Sequence, residues 1–147
     1  MIIISPYAKA LTNGDDNPKN YPWWSELISM LPDVVVQVGR SGEKPLIDQC
    51  LWDLSLNDLT GLLNECVTWI SCDSMFQHWA WHVGKPGVVI WGQSDPLIFG
   101  HDSNTNLLKG REYLFHNQFF SWDLIPPRSD CFVEPSVVLE AVLKHYK

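Results

Sequence analysis

VTWISCDSMFQHWAWHVGKPGVVIW, Val67–Trp91, decides how this sequence is read. An apolar run, Val67 to Ser71, leads into an acid and a hydroxyl, Asp73 and Ser74. Ser74 to Val83 follows without a helix breaker. Gly84-Lys85-Pro86-Gly87 then marks a turn before a second apolar run, Val88 to Trp91. Apolar runs without polar alternation fit strands buried on both faces of a parallel sheet. Strand, helix, turn and strand make one βαβ unit. The acid and hydroxyl stand where strand passes into helix, and ligands of open α/β sheets bind at the carboxyl ends of the strands.

The pattern extends outward in both directions. Upstream, Ile2-Ile3-Ile4 is a short β-branched run ended by Ser5-Pro6, and Thr12 to Pro18 has the composition of a loop. Pro22 suits a helix start, with Trp23, Leu27, Ile28 and Leu31 at helical spacing until Pro32. Val34 to Val38 is a second continuous strand, closed by the loop Gly39 to Glu43. After a short stretch around Cys50-Leu51-Trp52, Ser55 is a natural N-cap with Asp58 three residues on. Leu56, Leu59, Leu62 and Leu63 form the apolar face of a helix reaching about Cys66. Downstream, Ser94 to Arg111 reads as loop-rich, Tyr113 to Trp122 is aromatic and undetermined, and Pro135 to Tyr146 reads as a closing helix. The alternation predicts an α/β fold: an open, mostly parallel sheet with helices on both faces, in one domain over residues 1–147.

Composition narrows the function classes. The chain has 147 residues, 46% hydrophobic and 18% charged, enough for a core of its own. A net charge of −7, with only 10 scattered Lys and Arg, argues against general nucleic-acid binding and leaves local anion binding open. Eight tryptophans fit a dense core, an interface or a stacking surface. Cys50, Cys66, Cys72 and Cys131 form neither a CxxC pair nor a zinc spacing, so buried thiols and no metal are expected. Met1 to Pro6 is too short for a signal-peptide core and no stretch approaches a membrane span, so a reducing cytoplasm is the expected location.

Asp73 and Ser74 therefore sit at an expected strand end. Ser74 can cap the following helix or donate to a phosphate oxygen, and His78, one turn along, can reach the same ligand. The plainer reading is an N-cap and a structural histidine.

The combined residues resemble a family. Trp69-Ile70-Ser71-Cys72-Asp73-Ser74-Met75-Phe76-Gln77-His78-Trp79-Ala80, then Gly84-Lys85-Pro86, then Val88 to Trp91 leading into Gly92-Gln93-Ser94-Asp95-Pro96, resemble the donor-site region of the heptosyltransferase-like glycosyltransferases. That region characteristically reads Asp-Ser/Thr-Gly-x-x-His-x-Ala, a Gly-x-Pro turn, and a strand into Gly-x-Thr/Ser-x-Pro. Lys19-Asn20-Tyr21-Pro22 resembles the family's Lys-x-Trp-Pro, Gly42-Glu43 its Gly-x-x-Glu loop, and Leu54-Ser55-Leu56 its Ser-Leu segment. The resemblance runs from about Ile2 to Gly100. Met75 departs from it, standing where the family has Gly.

The resemblance implies a Rossmann-like domain, one half of a GT-B fold. It corresponds to the C-terminal, donor-binding half, whereas the acceptor site and usual catalytic carboxylate belong to the N-terminal half. Carried over residue by residue, Lys19 meets the donor diphosphate and Glu43 accepts from ribose hydroxyls. Leu54 packs on the base, and Asp73, Ser74 and His78 line the diphosphate and sugar end. Arg40, Gln93 and Asp95 lie at neighbouring strand ends. Each has a plain alternative: Lys19 and Glu43 as solvated loop charges, Leu54 as a helix-start contact, Asp95-Pro96 as a turn opener. Three functions stay open. The chain is the donor half of a glycosyltransferase, binding a nucleotide-diphosphate sugar and completed by an acceptor-domain chain or by self-association into a homo-oligomer. Otherwise it is a non-catalytic nucleotide-sugar binding module, or an interaction protein on a retained fold. No cofactor is expected, and no Asp-x-Asp metal motif is present.

Overall fold

The computed structural model describes all residues, 1–147. The Ile2–Ile4 run and the quoted stretch lie side by side at its centre. β1 (Ile2–Ser5) pairs in parallel with β4 (Thr68–Cys72), with Ile3 opposite Trp69 and Ser5 opposite Ser71. Both strands are buried along their whole length, as continuous apolar runs require. On one side of this pair lie β2 (Val35–Gly39) and β3 (Cys50–Trp52), and on the other β5 (Val88–Trp91) and β6 (Thr105–Leu108). Every pairing is parallel, and the order is β3-β2-β1-β4-β5-β6. This is the doubly wound arrangement, whose strand order reverses between β1 and β4.

Helices cover both faces. On one, α1 (Trp24–Met30) and α5 (Pro135–Leu143) enclose a core with Ile2, Ile4, Leu27, Ile70, Ile90, Phe132 and Val142. On the other, α2 (Leu56–Glu65) and α3 (Met75–Val83) enclose Ile3, Val38, Leu63, Trp69, Phe76, Val89 and Trp91. The alternation of Ile2 and Ile4 with Ile3 between the two cores is the period-2 geometry of a strand. The Ser55 hydroxyl accepts the Asp58 N–H at 3.1 Å, as the capping pattern predicts. Gly84, at φ +83°, closes α3 in the left-handed region. Gly87 lets the backbone cross the Trp69 ring, where a Cβ would stand 2.3 Å from ring atoms.

Two elements lie where the sequence reads as loop. Asp95 caps, and Pro96 begins, the single-turn helix α4 (Pro96–Phe99), and β6 follows it. The β6 stretch Thr105-Asn106-Leu107-Leu108 is half-buried and has no apolar run of its own. Its strand form depends on the register with β5 and on the Trp91 indole, which donates to Asn106 Oδ1 at 2.9 Å. The aromatic stretch forms no strand. It carries only short 3-10 turns at Arg111–Tyr113 and Trp122–Leu124 as it crosses the carboxyl edge of the sheet.

Candidate functional site

The carboxyl ends of β1 and β4 place Asp73 at the strand-order reversal. Asp73 is 5% exposed. Lys19, from the loop after β1, reaches back so that Nζ lies 2.9 Å from Asp73 Oδ2. The contact is an ion pair rather than an aligned hydrogen bond, since Oδ2 has no hydrogen-bond partner. Oδ1 accepts from Gln77 Nε2 at 2.9 Å. Lys19 Nζ also lies 4.8 Å from the Trp122 ring centroid and 5.9 Å from that of Phe99, so two aromatic faces roof the ammonium.

Ser74 occupies the N-cap position of α3 but makes no capping bond. Its hydroxyl is buried and unpartnered. Ser71 Oγ and Gln77 Oε1, both buried, are unpartnered as well. Unpaired buried polar groups cost about 1–3 kcal/mol each, and three such atoms beside one ion pair mark the strand end as polar ground left open. Apart from Lys19 the cluster is hydroxyl and acceptor in character, which suits a hydroxyl-bearing ligand as well as an anion. Burial, then the Asp73 charge, pushes the neighbouring Cys72 thiol up to about 12, which keeps it protonated and inert.

His78 is exposed, and its side-chain partner is His101. Its Nδ1 lies 2.8 Å from Nε2 of His101, whose ring stacks on Trp81 with centroids 4.4 Å apart. Burial, then the His78 charge, lowers the His101 pKa. Met75, at the family's Gly position, is 60% exposed and does not fill the strand end.

Glu43 lies in the β2–β3 loop, next to the same edge of the sheet. Its Oε1 accepts the Arg40 N–H at 3.1 Å, while Oε2 is buried without a partner. Burial raises its pKa. Arg40 is exposed. Leu54 is half-buried and packs against the α2–α3 core rather than toward the strand ends. Gln93 and Asp95 are both buried but already engaged. Gln93 donates to the Pro126 carbonyl, and its own carbonyl accepts from Phe115 and Gln118. Asp95 holds Arg111 through two bonds, at 2.8 and 3.0 Å, and caps α4 through the Leu97 N–H. Arg111, then burial opposing it, then the Leu97 N–H set its carboxyl, with a net fall below the ordinary carboxylate value.

The structure thus brings Lys19, Asp73 and Ser74 together. Glu43 stands at the neighbouring strand end, His78 is engaged with His101, and Leu54 packs on the α2–α3 core. It adds residues that the motifs did not single out. Gln77 follows Asp73 by four residues, a spacing that one helical turn brings together and that was readable. Trp122 and Arg111 carry no such local signal, since only the crossing of the 111–126 segment delivers them, and Phe99 and His101 arrive with α4 and the residues just after it.

Residues 47–113 match the family described as Glycosyltransferase family 9 (heptosyltransferase). Over that segment the chain is similar to the heptosyltransferases. The matched segment contains Leu54, Asp73, Ser74 and His78 and excludes Lys19 and Glu43. Among solved structures, the chain resembles ADP-heptose LPS heptosyltransferase II of E. coli, at 20% identity over 99% of this chain and 46% of that one, with a TM-score of 0.67. It resembles E. coli heptosyltransferase WaaC, solved with ADP, at 20% identity over 71% of this chain and 36% of that one, TM-score 0.57. It also resembles the dodecameric iron-containing heptosyltransferase TibC, solved with ADP-D-beta-D-heptose, at 19% identity over 91% and 35%, TM-score 0.60. No curated protein matches the sequence. The heptosyltransferase-like fold therefore extends over nearly the whole chain, while the chain spans less than half the length of each of these enzymes. No helix is long and apolar enough to cross a membrane.

Proposed function

We propose that this chain is a single nucleotide-sugar-binding domain that holds a nucleotide-diphosphate sugar at the carboxyl ends of β1, β2 and β4. It serves as the donor half of a glycosyltransferase in the cytoplasm. The observation that carries the reading is the strand-end cluster of Lys19, Asp73, Ser71, Ser74 and Gln77, with its unpartnered buried polar atoms, at the strand-order reversal. In the bound state Lys19 exchanges the Asp73 carboxylate for the diphosphate, and Ser74 donates to a phosphate oxygen. Asp73, released from the pair, and Gln77 accept from sugar hydroxyls. Glu43, with one oxygen free, accepts from the ribose. His78 approaches the sugar end only by a rotation that separates it from His101, and Leu54 meets the base only where a ligand reaches the rim of the α2–α3 core.

Transfer needs an acceptor held in line with the donor carbon and a base beside its hydroxyl, which a second domain, a partner chain or a second copy supplies. One observation favours the non-catalytic binding module as the second reading: Asp73 and Asp95 are both tied in ion pairs, to Lys19 and Arg111. Calorimetry with ADP, UDP and GDP and their sugars tests the reading. A nucleotide diphosphate is expected to bind and to raise the melting temperature by mass action, and Lys19→Ala is expected to weaken binding by about 1–3 kcal/mol. Failure of every nucleotide to bind a folded protein refutes it. Product formation, followed separately from nucleotide release, separates the transferase from the binding module.

A further inference from the structure

A second polar cleft borders the loop that carries Lys19, with Pro18 and Asn20 in its wall and Lys19 itself outside it. It has a volume of about 490 Å³ and runs between the loop after β1, the start of α1, the loop after β2 and residues 127–129. Its size falls within the range of small-molecule sites. Its wall is rich in donors. Trp24 forms part of it and is 3% exposed, yet its indole Nε1 is buried with no acceptor in the protein. Lys44 lies on the opposite loop, exposed and outside every ion pair. Arg128 grips Asp130 through Nε and Nη2 at 2.6 Å each, which leaves Nη1 free, and its guanidinium lies 5.3 Å from the Tyr113 ring centroid. Asn20 spends its side-chain oxygen on the Ala8 N–H, so its amide hydrogens remain available. Tyr7 also lines the cleft, its pKa raised by burial and then by the Glu43 and Asp16 charges, so it stays a donor. The Asp16 carboxylate, exposed in the same wall, is the opposing charge.

We propose that this cleft binds a small ligand through an oxyanion, carboxylate or phosphate, held by Lys44 and Arg128 with the Trp24 indole N–H as the buried donor. A buried N–H without an acceptor is rare and costly, and an oxyanion is the complement of a donor-rich wall. Lys19, Asp73 and Ser74 are not in its wall, whereas Pro18 and Asn20, which flank Lys19, are, so the cleft adjoins the strand-end cluster without sharing its charged groups.

The test is a titration of the isotope-labelled full chain with inorganic phosphate, pyrophosphate and citrate, each alone, followed by the assigned indole N–H and backbone amide resonances. The Trp24 indole resonance is expected to move with at least one probe. Lys44→Ala, a change at an exposed side chain, is expected to weaken that probe by about tenfold or more, the scale of one charged hydrogen bond. Response to citrate alone assigns a carboxylate ligand, and response to the phosphates alone a phosphate ligand. An unmoved Trp24 resonance up to about 10 mM of every probe, weaker than any metabolite affinity of use, overturns the proposal. So does an anion that shifts the Asp73 and Ser74 amides and leaves Trp24 unmoved, or unchanged affinity in Lys44→Ala.

Discussion

Removing the Lys19 ammonium while keeping its stem, as in Lys19→Met, strands the Asp73 carboxylate at a strand end where it is 5% exposed. Loss of one partner of a fully buried pair costs about 3–5 kcal/mol, because the other charge remains desolvated. Two features here lower that figure. The Lys19 side chain is 18% exposed, so solvent already screens the pair, and Gln77 Nε2 still donates to Asp73. The expected destabilisation is about 2 kcal/mol, which for a chain of this size lowers the melting temperature by about 4–8 °C. Asp73→Asn leaves Lys19 facing Trp122 and solvent and costs less, about 1 kcal/mol. The double variant removes both charges and is expected to lose less than the sum of the single changes, with a coupling energy of about 1–2 kcal/mol in urea unfolding. The same variants bear on binding: Asp73→Asn frees Lys19 and is expected to tighten ADP or pyrophosphate. A coupling below about 0.5 kcal/mol refutes the energetic pair. Weaker diphosphate binding in Asp73→Asn refutes the view that Asp73 competes with the ligand for Lys19.

The imidazole of His101 is expected to titrate below 6.5 in NMR, and His78→Ala is expected to restore part of the fall, the remainder being due to burial. Because folding favours the neutral ring, the contribution to stability is complete above 6.5 and declines as the pH falls through the lower folded value; a pair unaffected by acid contradicts it. Gly87→Ala is expected to destabilise by about 1–3 kcal/mol in denaturant unfolding, since its Cβ meets the Trp69 ring at 2.3 Å and that ring is buried in the core. Burial raises the pKa of Cys66, Cys72 and Cys131. A thiol reagent at pH 8 is therefore expected to modify only the half-buried Cys50 in the native protein, and all four thiols after unfolding.

Much of the sheet was legible because its signals are local. Apolar runs without alternation, Ser55 with Asp58, and Gly84 after a helical stretch each act through neighbouring residues, and each produced the element that the sequence predicts. The apolar run from Val67 to Ser71 also placed Asp73 and Ser74 at a strand end, as β4 ends at Cys72. What that end contains was decided by tertiary structure. Lys19 is 54 residues from Asp73, and no periodicity reports that the two charges meet or that Trp122 roofs them. His78 sits one turn beyond Ser74 as spacing predicts, yet the short α4 carries His101 to its ring, so its contact is with His101 rather than with the strand end. The edge strand β6 is half-buried and takes its pairing from β5, a backbone partner whose hydrogen bonds leave no pattern in Thr105-Asn106-Leu107-Leu108. Local propensity and hydrophobic patterning therefore set the layers of this protein. The contacts of its strand-end charges arise only when the loops after β1, β4 and β5 and the 111–126 segment converge on the carboxyl edge of the sheet, because Coulomb and hydrogen-bond partners are chosen by distance in space and not along the chain.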